Sequence, residues 1–130
     1  MHKSHRILAL TIVFFVNALF GQAVIAEDVF AIAADGPQPM AQIAKLAGVA
    51  PYFHIYDNKG SEVKVLTNPH LDLEFGTGPA AAATLADEGV TVLVTRRIPG
   101  PKMHDVLTER NVRIVRRVGT VQDVVNEIRE

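Results

Sequence analysis

Hydrophobic and polar positions follow strand-like and helix-like periods in turn along the first half of the chain. The apolar run VFAIAA at 29–34 ends at the turn residues DGPQP and is typical of a buried strand. The runs PYFHIYD and SEVKVLT flank the tight turn DNKG, so 52–67 is predicted to form a β-hairpin. Between them, MAQIAKLAG predicts one or two helical turns over 40–48. The predicted apolar face of those turns consists of Met40, Ile43 and Leu46 or Ala47, with Gly48 as the stop.

The second half of the chain alternates between helix and strand. The predicted elements are a helix at 79–89, a strand at 90–95, a helix at 101–111, a strand at 112–115 and a helix at 120–130. Such an order implies parallel strands joined by helical crossovers, and the hairpin adds an antiparallel edge. The predicted fold is therefore an α/β three-layer sandwich, with a mixed five-stranded sheet and helices on both faces.

Two of the predicted helices begin in the same way. The Gly-Pro pairs at 78–79 and 100–101 place a glycine at the cap and a proline at the first helical position. The last helix begins differently, because Thr120 and Asp123 resemble a capping box in which aspartate stands for glutamate. A loop of about a dozen residues, 68–78, precedes the first Gly-Pro start, and loops of that length are often functional.

The first 26 residues have the three-part plan of a secretory signal peptide. Lys3 and Arg6 open the chain, about 14 largely apolar residues follow, and Val24 and Ala26 are small at the −3 and −1 positions of a cut. The apolar run is short for a membrane span, which needs roughly 20 residues. We expect cleavage after Ala26, a mature domain at 27–130, and a periplasmic or secreted location. An uncleaved N-terminal membrane anchor is the alternative.

Composition excludes several kinds of site. The chain has no cysteine, which excludes thiolate catalysis and cysteine-ligated zinc or iron–sulfur centres. Without the leader, the basic residues fall from 13 to 11 against 14 acidic ones, so the formal charge is 11 − 14 = −3 and no nucleic-acid partner is expected. The one basic cluster flanks the last two strands, where a solvated strand end is favoured over a polyanion site. It comprises Arg96, Arg97, Arg113, Arg116 and Arg117.

Six segments in order resemble the dinitrogenase iron–molybdenum cofactor biosynthesis family, the NifX-like proteins. They are AADG, GVAPYFHIYD, the NP after the hairpin, GTGPAAAATLADEGVTVLV, GPKMHDVL and GTVQDVV, and together they span the chain from Val29 onward. The resemblance implies an RNase H-like fold and a carrier of metal clusters or cofactors that is not an enzyme. It also marks departures, since most members are cytoplasmic, Leu46 stands where members often carry histidine, and Arg96 and Arg97 replace a glycine turn.

The two Gly-Pro helix starts form the main candidate site. Helix N-termini leave backbone N–H groups without acceptors and carry partial positive charge, and in an open α/β sheet they lie at the carboxyl ends of strands. An oxyanion or a metal–sulfide anion suits such a crevice, although the pairs could also serve only to begin helices. The predicted cofactor-binding residues are Gly76, Thr77, Gly78, Gly100 and Lys102.

Three histidines remain beyond the leader. His70 lies beside acidic residues in the long loop, and His104 lies in the first turn of the 101–111 helix, so both are candidate metal ligands for a soft or borderline ion such as copper. His54 is better explained as a hydrogen-bonded strand residue, and Met103 as a core residue of its helix.

The sequence thus predicts a non-catalytic exported carrier of a metal ion or an anionic metal cluster, with copper or a molybdenum-containing cluster as possible cargo. The alternative is an interaction module of the cell envelope whose cofactor site has decayed, which Leu46 and Arg97 favour. No nucleophile or paired acid supports an enzyme, and no P-loop is present.

Overall fold

One five-stranded sheet organises residues 27–130, the part of the chain that this computed structural model describes. The predicted leader lies outside these residues. In the described part no helix is both long and apolar enough to cross a bilayer. The strands are β1 (Val29–Ala34), β2 (Tyr52–Asp57), β3 (Glu62–Thr67), β4 (Val92–Thr95) and β5 (Arg113–Arg116). The helices are α1 (Thr77–Asp87), α2 (Pro101–Glu109), α3 (Val121–Arg129) and a 3-10 turn at Ala47–Val49.

The strand order is β3-β2-β1-β4-β5, with β1 at the centre. β1 pairs antiparallel with β2, which pairs antiparallel with β3 to complete the hairpin. On its other side β1 pairs parallel with β4, and β4 pairs parallel with β5. The predicted mixed sheet is confirmed, and the carboxyl ends of β1, β4 and β5 meet at one edge, as parallel pairing requires.

Each face of the sheet carries its own core, which confirms the three-layer sandwich. On one face α1 and α2 cover a cluster rich in small residues, because the AAAA run of α1 packs against alanines of β1 and of the segment before β2. On the other face α3 covers larger aliphatic residues and Tyr56. The small-residue core includes Ala31, Ala33, Ala44, Ala47, Ala50, Ala81 and Ala82. Small side chains let the backbones on this face approach closely.

The helical turns predicted over 40–48 are wrong except at their end. Residues 41–45 run extended across the carboxyl edge of the sheet, and we call this segment the strap. The strap bridges Ala34 of β1, and its amide and carbonyl groups bond to Gly119 and to the chain after β4. Met40 is accordingly exposed at 67 %, whereas the predicted helix would have buried it, and of the two alternatives at the end of that face Leu46 is exposed and Ala47 is buried. Tertiary hydrogen bonds outweigh the local helical pattern here.

Helix starts agree with the sequence in two cases of three. Thr120 accepts from the Asp123 amide at 3.1 Å and Asp123 accepts from the Thr120 amide at 2.9 Å, which confirms the capping box of α3. Gly100 caps α2 with Pro101 first, as predicted. α1 begins two residues earlier than expected, with Gly76 at the cap in a left-handed conformation (φ 77°) that favours glycine.

A buried carboxylate fixes the start of the domain. The Asp28 side chain is fully buried, lies 2.9 Å from the Arg113 guanidinium of β5 and accepts from the Thr91 hydroxyl at 2.8 Å. Thr91 also accepts from the Val29 amide at 3.0 Å. The network therefore connects the beginning of β1 to the residue before β4, its parallel neighbour, and to β5, which lies beyond β4.

We expect Asp28→Ala to lower the free energy of unfolding by about 3 kcal/mol, because removing one partner leaves Arg113 without its counter-charge in a partly buried site. Asp87→Ala is the matched control. Its ion pair with Arg110 is similarly short at 2.7 Å, but the Asp87 side chain is 71 % exposed, so its loss should cost about 0–1 kcal/mol. Urea unfolding of both variants measures the difference, and equal losses would contradict a structural role for the buried pair.

Candidate functional site: a groove over two helix starts

An apolar groove of about 480 Å³ lies where the 3-10 turn meets the N-termini of α1 and α2. Both Gly-Pro pairs line this one groove, so the structure brings the two helix starts together as the sequence predicted. One wall consists of residues 46–49, and the other follows 99–103. The described lining residues are Leu46, Ala47, Gly48, Val49, Gly78, Pro79, Pro99, Gly100, Pro101, Lys102 and Met103.

Backbone atoms pack closely at the base of the groove. A Cβ atom added to Gly48 would lie 3.0 Å from the Gly78 Cα, and one added to Gly78 would lie 3.1 Å from the Met103 Cβ. Met103 is buried, as the sequence predicted, and its sulfur also faces Gly48. Three segments far apart in sequence therefore touch through glycine and the root of one side chain, and we call this contact the glycine junction.

The helix starts at the groove have no side-chain caps. Neither α1 nor α2 has a side-chain cap hydrogen bond or an acidic residue in its first turn, whereas α3 has both. The first intrahelical bonds are made by the Ala80 and His104 amides. The earlier amides have no acceptor within their helices, and the two prolines contribute none. Those amides belong to Thr77, Gly78, Lys102 and Met103, of which the last three line the groove.

Charge at the groove comes from one side chain. Lys102 is the single charged residue among the described lining residues. Two helix N-termini add partial positive charge. An apolar wall lowers the local dielectric, which strengthens the attraction of these groups for an anion. The arrangement can hold an anionic or polarisable guest by backbone amides and contact with apolar side chains.

The predicted cofactor residues are only partly brought together. Gly78, Gly100 and Lys102 line the groove, while Gly76 and Thr77 begin α1 outside its lining. Sequence reasoning did not recognise 46–49 as a wall of the groove, although the family resemblance singled out Leu46, and it missed the contribution of Pro99. Gly48 allows the close backbone contact on that side of the groove, but the sequence pattern indicated only the end of a helix there.

The two predicted metal ligands lie outside the groove lining. His70 hydrogen-bonds to Thr84 through Nε2 at 2.7 Å, and its amide donates to Asn68 Oδ1 at 3.0 Å, so it rests against the middle of α1. His104 is exposed on α2 and faces Thr108, one turn on. Within residues 27–130 no three His, Asp or Glu side chains cluster as a metal site would require. Metal binding by His70 or His104 stays a prediction.

His54 is a hydrogen-bonded strand residue, as predicted, but it is fully rather than partly buried, and its Nδ1 has no hydrogen-bond partner in the described part of the chain. Its Nε2 donates to the Gly36 carbonyl at 2.8 Å, which places the proton on that nitrogen because a carbonyl can only accept. His54 thereby ties β2 to the turn that leads into the strap.

The fold and the groove together define a class of protein: an α/β sandwich domain in which two helices without side-chain caps begin at one apolar groove. Residues 28–130 match the family model described as dinitrogenase iron-molybdenum cofactor. The chain belongs to this family, as the six segments of the sequence indicated.

Solved structures agree with this assignment. The chain is similar to the apo form of the orange protein from Desulfovibrio gigas, with 26 % identity, a TM-score of 0.71, and coverage of 77 % of this chain and 85 % of that one. It is also similar to a Thermotoga protein provisionally assigned as NifB, with 29 % identity, a TM-score of 0.65, and coverage of 76 % and 84 % respectively. A comparison with curated proteins gave no match.

We expect Gly48→Ala to lower the free energy of unfolding by about 1–3 kcal/mol, because the new methyl group would meet backbone that cannot move aside. Gly100→Ala is the matched control, since no atom lies within 4 Å of a Cβ placed there. The control should change stability by less than about 0.5 kcal/mol, the weaker cap being offset by a less flexible unfolded chain. Thermal unfolding of both variants is the measurement, and an unperturbed Gly48→Ala protein would contradict the glycine junction.

Proposed function

We propose that this protein is a non-catalytic carrier whose groove binds an anionic metal cluster or metal cofactor as cargo. Membership of the iron–molybdenum cofactor family supports cargo of this kind. The observation that carries the proposal is that two helix starts without side-chain caps and Lys102 meet in one groove. Metal–sulfide clusters are large, polarisable anions, so they suit a site that combines amide donors with apolar walls.

The absence of side-chain caps supports an external guest. A helix N-terminus is ordinarily stabilised by a capping side chain or an acidic residue, as α3 is. In α1 and α2 no side chain of the helix start accepts a hydrogen bond from the first amides, and a bound anion would supply the missing acceptor. The apolar wall would also exclude water from a cluster that hydrolysis or oxidation could degrade.

We expect Val49→Glu to weaken binding of tetrathiomolybdate, a simple metal–sulfide anion, by about tenfold, since the new carboxylate would repel an anion from the wall. Val63→Glu is the matched control. Val49 and Val63 are 55 % and 58 % exposed, and Val63 lies on β3, outside the groove lining. Titration of the full chain, followed by the absorbance of the thiomolybdate, gives the affinities.

The matched pair Lys102→Gln and Lys59→Gln tests the same site by removing positive charge. A partly exposed lysine contributes about 1 kcal/mol to such a contact, so Lys102→Gln should bind about fivefold more weakly. Lys59 lies in the hairpin turn and its loss should leave the affinity unchanged. If groove and control variants bind alike, or if the wild type does not bind, the carrier proposal fails and the envelope interaction module takes its place.

We propose His70 and His104 as additional ligands where the cargo is a bare metal ion such as copper. His104→Ala should then weaken copper binding while the unfolding transition stays in place, because the side chain is exposed. Calorimetric titration with copper measures this, with His54 left intact as the buried histidine. Equal affinity in the variant would remove His104 from the site.

Export is the remaining part of the proposal. The leader plan of residues 1–26 supports delivery beyond the inner membrane with cleavage after Ala26. The intact mass of protein purified from its native cells decides this. A chain that begins at Glu27 supports export, and a full-length chain supports the membrane anchor or a cytoplasmic location.

A further inference from the structure

A second pocket, of about 420 Å³, lies apart from the groove at the carboxyl ends of β4 and β5. Its described lining consists of Arg96, Arg116, Arg117 and Val118, and it shares no lining residue with the groove. We call it the arginine pocket. Three of its four lining residues carry guanidinium groups, so positive charge is concentrated in one solvent-open depression of the surface.

Strand pairing brings these arginines together. Thr95 at the end of β4 pairs with Arg116 at the end of β5, and the Arg117 amide donates to the Thr95 carbonyl at 3.0 Å. Arg96 and Arg97 directly follow β4, and Arg116 and Arg117 lie at the end of β5. The parallel register therefore sets the two arginine pairs side by side. In α/β sheets this edge of parallel strands is where ligands bind.

A neighbouring acid pairs with Arg117 but with neither of the other two arginines of the pocket. Arg117 is held by Glu127, with its Nε 3.0 and 3.2 Å from the two carboxylate oxygens, and its Nη1 donates to the Arg116 carbonyl at 2.8 Å. Neither Arg96 nor Arg116 forms an ion pair with any residue in 27–130. The same residues carry a formal charge of −3, so the pocket is a positive region on an acidic domain.

A buried hydroxyl lies at the same strand end. Thr95, the register partner of Arg116, is fully buried, and its Oγ1 has no hydrogen-bond partner in the described part of the chain. Unsatisfied buried polar atoms are uncommon in folded proteins and call for an explanation. Thr95 is fully buried and does not line the arginine pocket, so a guest there would meet the arginines and not this hydroxyl.

We propose that the arginine pocket binds a compact, multiply charged tetrahedral oxyanion of the phosphate and molybdate class. Guanidinium groups bind such anions through paired N–H donors, and Arg96 and Arg116 can share one ion that offers four oxygens. The Glu127 bond holds Arg117 in place beforehand, which leaves Arg96 and Arg116 to close on the guest. The site is independent of the carrier groove, because the two have separate linings.

Calorimetric titration of the full chain with inorganic phosphate and with molybdate, at about 0.15 M salt, tests the proposal. We expect saturable binding that is weakened at least about tenfold by Arg96→Gln and by Arg116→Gln, since hydrogen bonds to charged groups are the strong ones. Both residues are exposed, so the variants should fold. Arg110→Gln removes the same charge at the end of α2 and should bind as the wild type does.

The outcomes separate this site from the groove. Val49→Glu should leave phosphate binding unchanged, so failure of the carrier proposal would not affect the result. A phosphomonoester that binds as tightly as free phosphate would assign the site to a phosphate group on a larger molecule, and weaker binding would assign it to the free ion. Both support the pocket. Absence of saturation, or equal binding in the Arg96, Arg116 and Arg110 variants, would overturn it.

Discussion

Close approach of three backbone segments at the glycine junction determines where the groove lies. Gly48 and Gly78 can touch because neither has a Cβ, and Met103 fills the remaining space from α2. The alanine-rich core beneath makes this approach possible, since it lets α1 lie near the sheet. A larger residue at either glycine would separate the helix starts from the 3-10 turn, and the groove would lose the wall that faces its amide donors.

Local signals were sufficient for most of the fold. The hairpin, the Gly100-Pro101 start of α2 and the Thr120 capping box each depend on residues within a few positions of one another, so the sequence pattern predicts them correctly, while α1 begins two residues before its predicted start. The strap could not be predicted in this way. Its hydrogen-bond partners lie near residues 33, 96 and 119, and a segment stabilised by such remote groups follows their geometry rather than its own helical period. The exposed Met40 and Leu46 are the consequence.

The site was predictable in kind but incompletely in its residues. Gly78, Gly100 and Lys102 stand out because glycine, proline and a basic residue at a helix start carry a known electrostatic meaning. The opposite wall was less visible, because the family resemblance singled out Leu46 but Val49 resembles an ordinary apolar residue until the chain folds. His70 was misleading for the same reason, because the sequence shows its acidic neighbours in the loop and not Thr84, which it contacts in the fold.

The construction of the groove floor from main-chain atoms affects how cargo would be selected. Side chains such as Met103 can change rotamer to accommodate a guest, but the contact between Gly48 and Gly78 has no rotamers and yields only if whole segments shift. Discrimination would therefore depend on fixed dimensions, with an oversized guest excluded by rigid backbone and an undersized one left in loose contact. Substitutions at Leu46, Val49 and Lys102 could adapt the groove to another guest, while the contact between Gly48 and Gly78 would still fix its dimensions.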